Sequence, residues 1–173
     1  MAMLLSPRTS QSRGGLYPHN ALRSRADYPS TQDFEVFRTA DGLEAIAARK
    51  RFEPMERMCR VSGVVVGERG PHTLQLLPDA HMYDPSFTGL LLHSCSPNVF
   101  VDMSELWLWA LTVIVQGDCL TMDHASTERT LYRQFACRCD SSNCHGWITG
   151  YDESPNEEGM KFLERWRQRC HRG

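Results

Sequence analysis

Cys137, Cys139 and Cys144 lie close together, and the intervening Ser141-Ser142-Asn143 lets the chain curl back on itself. Three thiolates so placed repel one another once ionised unless a cation neutralises them. A structural Zn²⁺ takes four such ligands in a tetrahedron, so three leave one vacancy. Cys95, in Leu92-His93-Ser94-Cys95-Ser96-Pro97-Asn98, is one candidate for the fourth position, and His93, Asp140 and His145 are others. Without a metal, the same cysteines are small, partly buried hydrophobes in reduced form. Cys59 and Cys170 read as packing residues, and Cys119 is ambiguous.

Histidine is the side chain suited to acid or base chemistry near neutral pH, and His93 and His124 are two of the chain's seven. The alternative for His124 is a hydrogen-bonded residue with no chemical role. Trp107, Trp109 and several methionines are able to line an apolar pocket for a small ligand or to form ordinary core.

The elements that position these residues are mostly short strands. Phe34 to Arg38 is strand-like, Asp41-Gly42 marks a turn, and 45–48 resumes the extended pattern. Val61 to Val66 is β-branched around Gly63, and His72 to Leu76 alternates as a half-buried strand does. Leu106 to Val115 is apolar on both faces, which predicts a long strand buried between layers. A C-terminal helix is expected with Ser154 as N-cap, Glu157 completing a capping box, and Phe162, Leu163, Trp166 and Cys170 as its apolar stripe. Many strands with one good helix indicate an α+β, mostly β domain.

Residues 1–32 are rich in Ser and Arg and poor in acids, so they read as a flexible tail, or as an organellar transit segment. The remainder divides into a domain over 33–135, a cysteine loop over 136–153 and the helix over 154–173.

Over 33–153 the chain resembles the SET-domain proteins, protein-lysine methyltransferases that use S-adenosylmethionine. His93-Ser94-Cys95-Ser96-Pro97-Asn98 is similar to that family's Asn-His-Ser-Cys-x-Pro-Asn, and Gly117-Asp118-Cys119-Leu120-Thr121-Met122-Asp123-His124 to its Gly-Glu-Glu-Leu-Thr-Tyr-Asp-Tyr. The terminal cysteines resemble the post-SET zinc loop. The resemblance implies a SET fold of short curved sheets in which the two central strings form a pseudoknot. It also implies a structural zinc on Cys95, Cys137, Cys139 and Cys144, and S-adenosylmethionine held along Gly42, Glu44, Ala45, Leu92 and His93.

The chain departs from the family pattern at one pocket. The second glycine of the family's Gly-x-Gly is Glu44, the Asn before His-Ser-Cys is Leu92, and the last Tyr of Tyr-Asp-Tyr is His124. A carboxylate at Glu44 repels the cofactor's own carboxylate. Leu92 offers none of an amide's hydrogen bonds. The leading expectation is therefore a methyltransferase-like protein with an altered active site. One alternative is the same scaffold turned to acid–base chemistry or cyclisation of a small molecule, with His124 and His93 as its catalytic groups. Another is an inactive, zinc-stabilised interaction module. The substrate expected is a protein lysine or a small molecule.

Bulk properties narrow the field. With 173 residues, 41% hydrophobic and 23% charged, the chain has the make-up of a globular domain. A net charge of −2 gives no basic field for nucleic acid. The longest apolar run is too short for a bilayer, so no membrane partner is expected. Seven cysteines, an odd number, without a secretory leader fit an intracellular, cytoplasmic or nuclear setting better than a disulfide framework.

Overall fold

The structure, a computed structural model, describes residues 14–23 and 25–170. A short helix α1 (Asn20–Arg23) precedes the hairpin β1 (Phe34–Arg38) and β2 (Glu44–Ala48). There follow β3 (Arg57–Arg60), β4 (Val64–Val66), β5 (Thr73–Leu77), β6 (Ala80–Tyr83) and a 3-10 turn over Thr88–Leu90. The central part holds β7 (Leu92–His93), β8 (Val99–Asp102), β9 (Trp107–Ala110), β10 (Thr121–Met122) and the one-turn helix α2 (His124–Thr127). The chain then forms β11 (Phe135–Ala136), β12 (Trp147–Ile148) and the long helix α3 (Glu157–Cys170). The α+β, mostly β class expected from the sequence is the class observed.

Small sheets replace one large one. β3-β9-β8 and β4-β6-β5 are antiparallel triplets, and β1-β2 and β11-β12 are antiparallel pairs. β7 and β10 pair in parallel, Thr121 opposite Leu92 and Met122 opposite His93. Such short pieces are stable only when packed on a shared core. Phe34 supplies its centre, stacked on Phe52 at 5.5 Å and edge-on to Phe87 at 5.0 Å, with Ile46, Leu108 and Leu120 closing around them. Gly63 separates β3 from β4 because any Cβ there would collide with the Tyr83 carbonyl.

Three local expectations need correction. The strand foreseen over 106–115 is only Trp107–Ala110: Leu106 takes φ +57°, and Leu111, Val113 and Val115 are each at least 40% exposed. Its burial alternates, and the Arg57 guanidinium lies 5.3 Å from the Trp107 ring and 4.9 Å from that of Trp109. Those tryptophans are therefore half-buried against cations. The cap of α3 is Asn156 and not Ser154. Its Oδ1 accepts from the Gly159 amide at 2.9 Å, while the Ser154 carbonyl accepts from Gln134. The foreseen stripe does dock, with Phe162 against Trp147 at 5.6 Å and Trp166 over Gly146. The packing role foreseen for Cys170 concerns a side chain outside those described.

The third correction concerns the tail. Residues 1–13 lie outside the described residues, but 14–23 and 25–32 fold onto the domain. Gly15 bridges Ser30, and Tyr17 is 3% exposed. The Tyr17 hydroxyl donates to Asp84 at 2.9 Å and accepts from the Ser62 amide at 2.9 Å. One large aromatic ring is enough to anchor a segment whose average composition is polar.

Candidate functional site

Two strings far apart in sequence meet beside the β7–β10 pair. Asn98 ties them: its Nδ2 donates to the Cys119 carbonyl at 2.8 Å, and its Oδ1 accepts from the Thr121 amide at 2.8 Å. The Ser94 amide adds a bond to the Met122 carbonyl at 3.0 Å. This lacing fixes His93 and Cys95 on one side and His124 on the other.

Behind it, Cys95, Cys137, Cys139 and Cys144 bring their sulfurs within 4.8 Å of one another. Zinc–sulfur bonds of about 2.3 Å set tetrahedral edges of about 3.8 Å. The Cys95–Cys137 distance is 3.7 Å. The surroundings suit thiolates, because the His145 amide donates to Cys95 at 3.5 Å, the Gly146 amide to Cys144 at 3.4 Å, and Ser141 Oγ lies 2.9 Å from Cys139. Asn143 Nδ2 donates to the Cys95 carbonyl at 2.8 Å, closing the loop onto the middle of the domain. The donor set fits a structural Zn²⁺. The other fourth ligands considered, His93, Asp140 and His145, stand outside the four-sulfur group.

His93 links that group to the cleft. Its Nδ1 accepts from the His124 amide at 3.3 Å, and its Nε2 lies 3.4 Å from Cys95 Sγ. With Nδ1 accepting, the ring is the Nε2–H tautomer, and both nitrogens are engaged. Burial, aided by His124, pushes the His93 imidazole down to about 4 against the pull of Asp123. The 3.7 Å approach to Asp123 is therefore no ion pair at neutral pH. Burial lowers His124 as well, against the Leu91 backbone and Asp123. Both rings are neutral near pH 7.

A cleft of about 560 Å³ opens in front of these histidines. Gly42, Glu44, Leu92, His93 and His124, all foreseen as site residues, line it together. Ala45 does not; it is fully buried behind the wall. Gly42 takes φ +81° in the β1–β2 turn, where its amide donates to the Thr39 carbonyl, so the turn itself requires glycine. Glu44 pairs with Arg38 across the hairpin at 3.3 Å, both side chains well exposed.

A second cavity, of about 180 Å³, lies on the far side of His124. His72, Gly89, His124 and Phe135 border both spaces. Phe135 packs edge-on against His93 at 5.5 Å and His124 at 6.3 Å. Phe135, Arg69 and Glu128 were not foreseen as site residues, and no spacing in the sequence points to them. Of the tyrosines near the end of the chain, Tyr132 lines the smaller cavity, whereas Tyr151 lies at another surface.

Comparison with known proteins places this geometry. No family model matches the chain. A curated relative described as a methyltransferase, flvH, from Aspergillus flavus, is 42% identical over 60 residues, which is 34% of each chain. Among solved structures, KRYPTONITE in complex with mCHG DNA and SAH superposes with a TM-score of 0.54 at 25% identity, over 66% of this chain and 28% of that one. The human histone-lysine N-methyltransferase SETMAR methyltransferase domain gives 0.54 at 16% identity, over 76% of this chain and 64% of that one. The chain thus spans about a third of the curated relative and under two thirds of these structures. No helix among the described residues is long and apolar enough to cross a membrane. The mostly β architecture of short sheets and its structural neighbours together identify the chain as a protein of the SET-domain methyltransferase fold.

Proposed function

We propose that this protein is a zinc-stabilised, S-adenosylmethionine-dependent methyltransferase with an altered active site. The observation that carries the proposal is the meeting of two cavities at His124, with Gly42, Glu44, Leu92 and His93 on the wall of the larger one. The cofactor, when bound, supplies a methyl group on a sulfonium. Gly42, Glu44, Leu92 and His93 are the residues that hold it. Neutral His93 and His124 spare that cation a facing positive charge. His124 and Phe135 form the partition toward the acceptor and limit water on the path between the two spaces. Cys95, Cys137, Cys139 and Cys144 hold the zinc, which keeps β11, β12 and α3 against this partition.

Glu44 favours a second reading. Its carboxylate, paired with Arg38, stands where the family has glycine. A ligand other than S-adenosylmethionine, processed by His124 on the same scaffold, suits that wall. Titration calorimetry with S-adenosylmethionine separates the two. Binding tighter than about 1 mM, roughly 4 kcal/mol, supports methyl transfer, and its absence removes that reading.

A further inference from the structure

Among the described residues, three buried side-chain atoms lack a hydrogen-bond partner: Arg69 Nε, His81 Nδ1 and Glu128 Oε2. They belong to one neighbourhood. Gln75 faces His81 across β5 and β6, its amide donates to Glu128 Oε1 at 2.8 Å, and the Arg69 charge acts on both His81 and Glu128. Arg69 and Glu128 both line the smaller cavity, and Glu128 is only 6% exposed. A buried carboxylate oxygen without a donor is costly, and so is a buried guanidinium N–H without an acceptor. The two do not satisfy each other.

We propose that the smaller cavity binds a free amino acid or a close derivative, with its ammonium on Glu128 Oε2 and its carboxylate toward Arg69 and Arg133. An ammonium provides the donors that Oε2 lacks, and a ligand carboxylate provides the acceptor that Arg69 Nε lacks. Arg133 lines the same cavity, and neither arginine has an ion-pair partner among the described residues. Two unpaired guanidinium groups repel a basic polypeptide, which favours a small amphoteric molecule over a lysine-rich protein segment. At about 180 Å³ the cavity is on the scale of a small molecule and not of a folded polypeptide. Leu131, Met122 and Phe135 receive its apolar part. Burial pushes the Glu128 carboxyl up to about 7, opposed by the Gln75 amide and Arg69, and a bound ammonium restores the ionised form. The inference rests on the methyltransferase reading, because His124 and Phe135 connect this cavity to the larger cleft.

The test titrates the full-length, zinc-replete protein with the common L-amino acids, followed by ligand-observed NMR and calorimetry. The best binder is then compared with its decarboxylated amine and its deaminated acid. The expected result is binding of at least one amino acid, with each truncated analogue weaker by about tenfold or more. Glu128→Gln, which keeps the acceptor for the Gln75 amide, weakens binding by a similar factor, and so does Arg133→Gln at an exposed position. No binding by any amino acid, binding unchanged by Glu128→Gln and Arg133→Gln, or binding of only a lysine-rich peptide overturns the proposal. S-adenosylmethionine affinity is measured in parallel. A protein that binds the cofactor but no amino acid keeps the methyltransferase reading and loses this inference, and the converse result leaves the amino-acid site and removes the transferase.

Discussion

The four-cysteine cluster and the cleft it borders are joined through one side chain, His93, yet they match the pattern of the proteins they resemble to different degrees. In the cluster every sulfur that the resemblance implies is in place, with amide donors aimed at the thiols. Across the lacing of Asn98, the cleft has Glu44, Leu92 and His124 where the resemblance to the SET-domain proteins implies Gly, Asn and Tyr. The constraints differ in kind. A tetrahedral ion loses its shell if any one ligand is lost, whereas a cleft wall tolerates exchange as long as the core behind it stays packed. On the proposed reading, a scaffold and its chemistry change separately even when a single histidine touches both.

The largest test of this contrast removes a sulfur. Cys139→Ser should cost several kcal/mol through loss of the metal, lowering the melting temperature by about 10 °C or more, and a strong zinc chelator should lower that of the parent protein similarly. Calorimetric scans with and without the chelator check this. A variant that melts like the parent would break the distinction between the two regions. Next comes Asn98→Ala, which leaves the Cys119 carbonyl and the Thr121 amide without their side-chain partner and should cost about 2–3 kcal/mol. It should loosen both regions at once, as amide hydrogen exchange at Thr121 and Ser94 would report.

A smaller effect comes from Glu128, whose folded-state value is about 7 against an ordinary 4.5. The folded chain holds the extra proton, so this contribution to stability is full below about pH 4.5 and is lost as pH rises through about 7. The difference is worth roughly 3 kcal/mol at most. Glu128→Gln should therefore unfold at higher denaturant than the parent at pH 8 and nearly equally at pH 4.5. The mildest changes are on the cleft wall. Glu44→Gly should shift stability by less than about 1 kcal/mol while tightening S-adenosylmethionine. His124→Tyr should raise methyl transfer to an amine with little change in melting point. If either wall variant unfolds the protein, the wall is as constrained as the cluster.

How much of this was legible in the sequence follows the same division. The cysteine spacing and the strings around His93 and Asp123 are local patterns tied to specific chemistry, and both reappear as contacts. The turn at Gly42 was legible too, and the structure shows it with the glycine at positive φ. What the sequence did not reveal depends on contacts between distant segments. Tyr17 sits in a polar stretch, and partners more than forty residues away, Asp84, Ser62 and Phe87 among them, make it an anchor. Glu128 lies in an unremarkable polar run and is buried where the distant Gln75 meets it. The run after Ala110 is apolar by composition but leaves the strand and exposes 111–113 and 115, burying only Ile114, which periodicity alone does not foretell.

The account turns on the sulfur cluster as a metal centre that holds the C-terminal segment against the cleft. Metal analysis of freshly purified protein, joined with X-ray absorption at the zinc edge, tests it most directly. One zinc per chain in a four-sulfur shell near 2.3 Å is the expected result. Protein that is folded and free of stoichiometric metal, with an unchanged melting temperature after Cys139→Ser, would contradict it.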